Sequence, residues 1–369
     1  FGTEDFDDLY LKYEADKTIP KKTVAAQDLF GDLLKERAET GRIYIMNLDH
    51  CNSHSSFKDK VSMSNLCQEI TLPTTPIQDI HDDQGEIALC ILSAVNVGGL
   101  NDLGELESIC DLAVRALEQI IDYQDYPVKA AEVSTKRRRS LGVGYIGLAH
   151  YLAKHGVKYS DPKAWDLVDR LSEAFQYHLL RASCNIAMEK GKCEAFDRTK
   201  YADGLLPIDH YKKDVDKIVP HKQRMAWESL RKDIAKYGLR HSTLSAQMPS
   251  ESSSVVSNET NGIEPPRALL SIKKSKKGPL KQIAPGFPKL KNDYTLLWDM
   301  PDNTGYIKVV AMMQKYFDQA ISGNWSYNPT HFDNNEVPLS VMANDMLTAY
   351  KLGWKTSYYQ NTYDFKGDE

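Results

Sequence analysis

The stretch Leu141-Gly142-Val143-Gly144-Tyr145-Ile146 is apolar or small at every position and has the length of one strand. Two similar runs lie before and after it in the sequence, at residues 87–95 and 243–248. Strands that are apolar on both faces are covered on both sides by other elements, which is typical of parallel sheets. The three runs therefore predict a buried sheet at the centre of the fold.

Segments with helical spacing separate these runs. Residues 24–40 and 101–123 repeat apolar side chains every three or four positions. Asp161-Pro162 supplies an N-cap and a first-turn proline, and Gly191 marks the end of the helix that they begin. Strands that alternate with amphipathic helices predict an α/β fold with a covered, largely parallel sheet.

Composition limits the classes of function. The net charge of −5 gives no general reason to expect nucleic-acid binding, and no run reaches the roughly 18 apolar residues of a membrane span. Lysines concentrate in residues 271–292, where a solvated loop is favoured over a nucleic-acid patch. Six irregularly spaced cysteines do not form the pattern of a secreted disulfide framework, so a reducing cytoplasm is expected. The chain opens at Phe1, which leaves a processed product, a piece of a split protein and part of a longer chain as alternatives.

One glycine pattern resembles a binding motif but lacks its context. Gly142, Gly144 and Gly147 have the spacing of a dinucleotide-binding loop, yet they follow a basic run instead of a clear apolar strand. Close packing of a strand on a helix is the favoured explanation for these glycines.

A second pattern, His50, Cys51 and His54, contains side chains that can bind metals. Structural zinc sites recruit four ligands, and no C-x-x-C or further H-x-x-x-H run occurs elsewhere in the sequence. Packing or hydrogen-bonding roles are favoured, and no metal site is predicted.

Asn65-Leu66-Cys67-Gln68-Glu69 carries an amide, a thiol and a carboxylate at alternate positions. In an extended segment alternate side chains point to the same side, so Asn65, Cys67 and Glu69 are expected to project into one pocket. An exposed polar loop with an incidental cysteine is an equal alternative on these five residues alone.

Pro249-Ser250-Glu251-Ser252-Ser253 directly follows the apolar run 243–248. Short hydroxyl residues at a strand-to-helix junction present backbone N–H groups and hydroxyls to a phosphate. A solvated serine-rich loop explains the same residues and, taken by itself, is the simpler interpretation.

Three sets of motifs together resemble the large subunit of class I, aerobic ribonucleotide reductases. Trp227-x-x-Leu230, Gly238-Leu239-Arg240-His241 and Ser245-Ala246-x-x-Pro249 are similar to the family signature. Asn65-x-Cys67-x-Glu69 resembles the family's finger-loop active site, and Tyr358-Tyr359-Gln360-Asn361-Thr362 resembles its tyrosine pair. The motifs occur in family order, and the resemblance extends from about residue 5 to residue 363.

The resemblance implies an α/β fold that is the second half of a ten-stranded α/β barrel, in which two five-stranded half-barrels surround a central finger loop. It implies a helical lead-in and a barrel strand at 1–60, and the finger loop with barrel strands at 61–170. A mainly helical excursion follows at 171–240, and the phosphate loop and C-terminal strands with the tyrosine pair occupy 241–369. The first half-barrel and an N-terminal ATP-binding domain are expected outside this sequence.

The implied activity is reduction of ribonucleoside diphosphates to 2′-deoxyribonucleoside diphosphates for DNA precursor synthesis. By resemblance, Cys67 forms a thiyl radical that abstracts the 3′ hydrogen, Glu69 acts as general base, and Asn65 holds the sugar hydroxyls. Cys90, on the run 87–95, resembles one member of the dithiol that supplies two electrons. The substrate is expected to contact these finger-loop residues and the serine-rich loop, Pro249, Ser250, Glu251, Ser252 and Ser253.

Tyr358 and Tyr359 resemble the last stations of a radical-transfer path from a separate small subunit, which holds a tyrosyl radical and a di-iron or di-manganese centre. No cofactor and no metal are expected on this chain, and ATP or dNTP effectors are expected on the absent half. The expected partners are the N-terminal half of the large subunit, the small subunit, and thioredoxin or glutaredoxin, with no nucleic acid and no membrane. No cysteine follows Cys193, so the source of the family's re-reducing cysteine pair stays open.

Two other functions remain as alternatives. A dehydrogenase would use residues 142–147 to bind a dinucleotide, whereas a non-catalytic assembly module would keep the fold without activity. The intact set of Asn65, Cys67 and Glu69 and the tyrosine pair argue against a loss of activity.

Overall fold

Helices and strands alternate along much of the chain, and the computed structural model describes them over residues 5–275 and 278–364. The α-helices are α1 (Phe6–Ala15), α2 (Ala26–Thr40), α3 (Leu48–Ser53), α4 (Leu106–Tyr123), α5 (Lys129–Arg138), α6 (Leu148–Lys154), α7 (Pro162–Lys190), α8 (Pro207–His210), α9 (Trp227–Tyr237), α10 (Glu251–Val256), α11 (Thr304–Gln314) and α12 (Leu339–Lys351). The strands are β1 (Ile45–Met46), β2 (Ile91–Asn96), β3 (Leu141–Ile146), β4 (Leu270–Ser275), β5 (Gly278–Ile283), β6 (Trp325–Tyr327), β7 (Thr356–Ser357) and β8 (Gln360–Thr362).

Four parallel segments form the part of the sheet that concerns the site. β2 and β3 pair in parallel along their full length. Single parallel bridges join β3 to segment 243–248, and that segment to residues 319–322. We call β2, β3, 243–248 and 319–322 the parallel array. It agrees with the parallel sheet predicted from the apolar runs, while the pairs β1–β7 and β4–β5 are antiparallel.

The glycines of β3 allow this array to pack closely. A Cβ atom added to Gly142 would lie 2.6 Å from the sulfur of Cys90, and one added to Gly144 would lie 2.6 Å from the carbonyl oxygen of Ala246. Both glycines lie inside the strand, not in a loop beyond its end, which is where a dinucleotide-binding turn has them. The close-packing interpretation is confirmed, although the neighbours are adjacent chain segments instead of the expected helix.

Helices cover the array in two successive layers. α4 lies on β2 and β3, and α7 lies against α4 on one side and against α9 and α11 on others. α7 begins as predicted, because the Asp161 side chain accepts a hydrogen bond from the backbone N–H of Lys163. Leu171, Phe175 and Leu179 of this helix are completely buried in the core. Over the described ranges, no helix combines the length and hydrophobicity that a transmembrane span needs.

The lysine-rich region 271–292 differs from its prediction as a loop. β4 and β5 form an antiparallel hairpin there, with Leu270 opposite Ile283. Leu270, Ile272 and Ile283 are about half exposed, so backbone pairing between the strands, and not burial of an apolar face, forms this hairpin. Such pairing leaves little hydrophobic pattern in the sequence. Lys276 and Lys277 lie outside the described residues.

The signature residues Arg240 and His241 belong to a buried ionic network around Glu118. The Glu118 carboxylate accepts hydrogen bonds from Arg139, Arg240 and His241 at 2.8, 2.8 and 3.0 Å. Burial by itself raises the pKa of Glu118, but these hydrogen bonds outweigh it and lower the pKa to about 2. The network joins α4 to the ends of α5 and α9, and so fixes the chain just before β3 and before segment 243–248.

Replacing Glu118 with Gln should therefore destabilise the fold, since the substitution removes the buried negative charge that Arg139, Arg240 and His241 share and leaves Arg139 only its ion pair with Asp122. We expect a loss of roughly 3 kcal/mol in the free energy of unfolding, measured by urea denaturation of the protein. Glu132→Gln, which breaks only solvent-screened ion pairs on α5, is the control and should leave the free energy of unfolding nearly unchanged.

The same network predicts a pH dependence. The folded-state pKa of Glu118 is depressed, so its stabilising contribution is present above the usual carboxyl pKa of 4.5 and is lost as the pH falls toward 2. Wild-type stability should fall more steeply than that of Glu118→Gln over this interval. Parallel curves for the two proteins would contradict the role assigned to the network.

Candidate active site

The segment that carries Cys67 is a tight turn and not the predicted extended strand. The backbone N–H of Gln68 donates to the carbonyl oxygen of Asn65 at 3.1 Å, and Gln68 has a positive φ of 72°. The Asn65 side-chain oxygen accepts a hydrogen bond from Ile70 N–H at 3.0 Å and closes the turn. The expectation that Asn65, Cys67 and Glu69 alternate along an extended chain is therefore wrong. We use finger loop only as a label for residues 65–70, after the family segment that they resemble.

The finger loop is attached to segment 319–322 of the parallel array. The carbonyl oxygen of Glu69 accepts a hydrogen bond from Ala320 N–H at 3.0 Å. The Ser322 hydroxyl lies 2.5 Å from the carbonyl oxygen of Cys67 and 3.1 Å from a carboxylate oxygen of Glu69. Cys67 and Glu69 thus both contact Ser322, as members of a turn and not as alternate residues of an extended chain.

The tyrosine pair lies directly against the thiol of Cys67. The Tyr358 hydroxyl donates a hydrogen bond to the Cys67 sulfur, and the oxygen-to-sulfur distance is 3.5 Å. The rings of Tyr358 and Tyr359 have centroids 4.1 Å apart, and Tyr44 packs against both at 4.9 and 5.5 Å. The sequence analysis assigned no role to Tyr44, which lies just before β1 and belongs to none of the motifs.

The two tyrosines differ in environment. Tyr358 is 5% exposed, and burial, followed by its hydrogen bond to Cys67, raises its pKa well above the usual phenol value. Tyr359 is 37% exposed, and hydrogen bonds with Tyr358 and Tyr44 lower its pKa. A buried phenol that stays protonated therefore contacts the thiol, and the second phenol reaches the surface.

Cys90 lies immediately before β2 and not within it, because the strand begins at Ile91. Its side chain is half-buried, and the side-chain N–H of Gln319 lies 3.6 Å from its sulfur. Burial raises the pKa of the Cys90 thiol to about 12. Each of the six cysteines in the chain is a free thiol.

The serine-rich loop occupies the strand-to-helix junction that its sequence predicts. Segment 243–248 ends there, and α10 begins at Glu251, with its first helical hydrogen bond from Ser254 N–H to the carbonyl of Ser250. The first backbone N–H groups of a helix have no acceptor within it. The Ser250 hydroxyl, however, is buried and donates to the carbonyl of Met248, whereas Ser252 and Ser253 are exposed.

The pattern of His50, Cys51 and His54 has the packing role that was favoured for it. The His50 ring lies within hydrogen-bonding distance of the carbonyl oxygen of Trp354, and the His54 ring within that of Pro207. The Cys51 thiol points to the carbonyl oxygen of Lys355. No group of three or more potential metal ligands occurs within residues 5–275 and 278–364.

Comparison with known proteins fits this geometry. The sequence profile described as "Ribonucleotide reductase, barrel domain" matches residues 1–360. The chain belongs to this family. It is 57% identical over 368 residues to the ribonucleoside-diphosphate reductase subunit alpha of Haemophilus influenzae, and 56% identical over 368 residues to that of Buchnera aphidicola. The Escherichia coli ribonucleoside-diphosphate reductase 1 subunit alpha is 54% identical over 364 residues.

These alignments cover 98–99% of this chain but only 48–49% of each relative. The chain therefore spans about half the length of the curated relatives that it matches. The segment shared with them contains the finger loop, Cys90, the serine-rich loop and the tyrosine pair.

The contacts of Ser322 predict the effect of its removal. Ser322→Ala removes the hydroxyl shared by Cys67 and Glu69 and should loosen the finger loop at a cost of about 1 kcal/mol. Hydrogen–deuterium exchange on the full-length subunit should become faster in peptides that cover residues 65–70. Ser172→Ala, which removes a buried hydroxyl bonded to Tyr145, should leave these peptides unchanged. Unaltered exchange in Ser322→Ala would show that the hydroxyl does not hold the loop.

Proposed function

We propose that this chain is the catalytic part of a class I ribonucleoside-diphosphate reductase, which makes 2′-deoxyribonucleoside diphosphates as DNA precursors. The observation that carries the proposal is the 3.5 Å contact between the Tyr358 hydroxyl and the Cys67 sulfur. A partly buried thiol against a buried phenol, with the ring of a second phenol 4.1 Å behind the first, is suited to moving an electron and a proton from the surface to one sulfur atom. The names of the relatives support the same activity.

The first step generates the reactive thiyl radical. Tyr359 receives the oxidising equivalent from the small subunit, where the tyrosyl radical and its di-iron or di-manganese centre are expected. Tyr358 is oxidised next, and the hydrogen atom of the Cys67 S–H group then passes to the Tyr358 phenoxyl oxygen. The short contact between the two atoms allows this transfer without movement of the backbone.

The second step acts on the ribose. The Cys67 thiyl radical takes the 3′ hydrogen atom and becomes a thiol, and Glu69 accepts the proton of the 3′ hydroxyl as general base. Asn65 holds the sugar hydroxyls by hydrogen bonding. The Glu69 carboxylate is 2% exposed and is fixed through Ser322, which keeps it beside Cys67.

The third step removes the 2′ hydroxyl as water. Cys90 and a second cysteine in the other half of the subunit supply two electrons and two protons and become a disulfide. One proton leaves with the hydroxyl as water, a hydrogen takes the place of the hydroxyl on the 2′ carbon, and Glu69 returns its proton to the 3′ oxygen. Cys67 then returns its hydrogen atom to the 3′ carbon, and the radical goes back through Tyr358 and Tyr359. Thioredoxin or glutaredoxin restores the dithiol through cysteines outside this sequence.

Substrate and effector binding are divided between the two halves. Residues 249–253 bind the diphosphate through backbone N–H groups at the start of α10 and exposed hydroxyls. ATP and dNTP effectors bind the other half. The four segments of the parallel array belong to one five-stranded half of a ten-stranded barrel, and the partner half completes the barrel around the finger loop. The chain itself divides into four parts, 1–60, 61–170, 171–240 and 241–369. We place the enzyme in the cytoplasm.

The alternatives receive less support. A dehydrogenase needs its glycines in a loop, whereas Gly142 and Gly144 lie within β3. A non-catalytic assembly module needs no thiol beside a buried tyrosine, and turnover measurements on the subunit decide between that role and catalysis.

The role of Cys67 predicts a sharp loss on substitution. Cys67→Ser should abolish nucleotide reduction, because an O–H bond is too strong to yield its hydrogen atom to a tyrosyl radical. Equilibrium binding of the ribonucleoside diphosphate to the full-length subunit should remain within about threefold of wild type, since the serine is nearly isosteric. Cys193→Ser, at a buried cysteine without a proposed role, controls for general loss of a thiol. Substantial turnover by Cys67→Ser would exclude the thiyl mechanism.

The role of Tyr358 makes a separate prediction. Tyr358→Phe keeps the packing against Tyr44 and Tyr359 but removes the oxidisable phenol, so turnover with the small subunit should stop while thermal stability changes by only a few degrees. Tyr294→Phe, which also removes a tyrosine hydroxyl bonded within the protein, should remain active. Near-normal turnover in Tyr358→Phe would refute the relay.

A further inference from the structure

Gln319 lies at a junction of three elements and has no role in the mechanism above. It is completely buried at the start of segment 319–322. Its side-chain oxygen accepts a hydrogen bond from Thr71 N–H, just after the finger loop, at 3.2 Å. Its side-chain nitrogen donates to the carbonyl of Leu141 in β3 at 3.0 Å and lies 3.6 Å from the sulfur of Cys90.

The neighbours of Gln319 fix the orientation of its amide. An amide side chain has one acceptor oxygen and two N–H donors. Thr71 N–H is a donor and the Leu141 carbonyl is an acceptor. A flipped amide would place its N–H groups against Thr71 N–H and its oxygen against the carbonyl oxygen of Leu141. The remaining N–H group is thereby directed at Cys90. Glutamate, leucine and methionine have similar size, but none of them supplies an acceptor and two donors together.

The sulfur of Cys90 is confined on a second side by Gly142. A Cβ atom at Gly142 would lie 2.6 Å from this sulfur, so the thiol fits against β3 only because residue 142 has no side chain. The sulfur therefore lies between a bare backbone and a fixed amide donor. Burial raises the pKa of Cys90 and the charge of Glu69 raises it further, whereas the hydrogen bond from Gln319 acts in the opposite direction.

We propose that Gln319 is a positioning residue for the reducing dithiol, which orients the sulfur of Cys90 and ties it to the exit of the finger loop that carries Cys67. The inference rests on the proposed role of Cys90. The amide of Gln319 holds Cys90 at a fixed position relative to the finger loop. Its oxygen accepts a hydrogen bond from Thr71 N–H, just after the loop, and its nitrogen contacts the sulfur of Cys90.

The contact also bears on regeneration of the dithiol. An external dithiol reduces the disulfide by attack of its thiolate on the partner sulfur, which forms a mixed disulfide while Cys90 leaves as a thiolate and then takes a proton. A leaving thiolate departs faster when its pKa is lower. The N–H group of Gln319 stabilises that thiolate in an otherwise unfavourable site.

The direct test measures the reactivity of Cys90 without requiring turnover. The full-length subunit, reduced with a dithiol, is treated with iodoacetamide at several pH values between 7 and 9, and alkylation of the Cys90 peptide is followed by mass spectrometry. Only the thiolate reacts, so the rate reports the thiolate fraction. In Gln319→Leu and Gln319→Glu the rate at each pH should fall about tenfold, as expected when a hydrogen bond to a charged group is lost.

Two comparisons separate positioning from general loosening. Gln247→Leu removes a buried amide that bridges β3 and segment 243–248 without touching Cys90, and it should leave the alkylation rate unchanged. Gln319→Glu keeps an oxygen for Thr71 N–H, so amide exchange at Thr71 should stay slow there and become fast in Gln319→Leu. A site that had merely loosened would alkylate faster. Unchanged or faster alkylation in both Gln319 variants would overturn the inference.

The inference can fail separately from the proposed function. If Cys90→Ser supported multiple turnovers with a dithiol, the proposed role of Cys90 as reductant would be wrong, and with it the functional meaning of Gln319. The alkylation result would still stand as a statement about the contact. Loss of turnover in Cys90→Ser with unchanged alkylation in the Gln319 variants would remove only the role of Gln319.

Discussion

The attachment of the finger loop to segment 319–322 is the constraint on which the site depends. The loop has few hydrogen bonds of its own, so its shape is set by what it rests on. That support is itself anchored, because the buried ammonium group of Lys355 donates to the carbonyl oxygens of three consecutive residues, 317, 318 and 319. The buried carboxylate of Asp318 accepts hydrogen bonds from the Gln176 side chain of α7 and from Leu244 N–H, which connects the support to the helical layer and to segment 243–248. Movement of the finger loop therefore requires disruption of a buried polar network.

The same stretch of chain also positions the tyrosine pair. The carbonyl of Gly323 accepts from Tyr358 N–H at 2.9 Å, and Trp325 N–H donates to the carbonyl of Tyr359 at 2.8 Å. Within residues 319–325, the Gln319 side chain contacts Cys90 and the Ser322 side chain contacts Cys67. The backbone of the same stretch is hydrogen-bonded to both tyrosines. A transfer between a phenol and a thiol is sensitive to small changes in distance, and placing both on one support limits those changes.

Much of the fold was predictable from the sequence because it depends on local patterns. The apolar run of β3, the N-cap at Asp161 and the close packing at Gly142 all leave signals within a few residues. The candidate reactive side chains were identified by resemblance, and the structure brings Cys67, Glu69 and Tyr358 together. The turn of the finger loop was not predictable, since it needs a positive φ at Gln68 and hydrogen bonds to residues about 250 positions away. Segment 319–322 and Gln319 escaped notice for the same reason: their roles depend on long-range contacts that have no periodicity in the sequence.

The central claim is that the sulfur of Cys67 takes the 3′ hydrogen of the substrate. The most direct measurement uses the full-length subunit with the small subunit and a ribonucleoside diphosphate labelled with tritium at the 3′ carbon, mixed with unlabelled substrate. Breaking the 3′ C–H bond discriminates against the heavy isotope, so the account predicts that early product contains less tritium than the substrate, whereas label at the 5′ carbon passes into product undiminished. Deoxynucleotide that carried the full 3′ label, or that formed in a Cys67→Ala subunit, would contradict it.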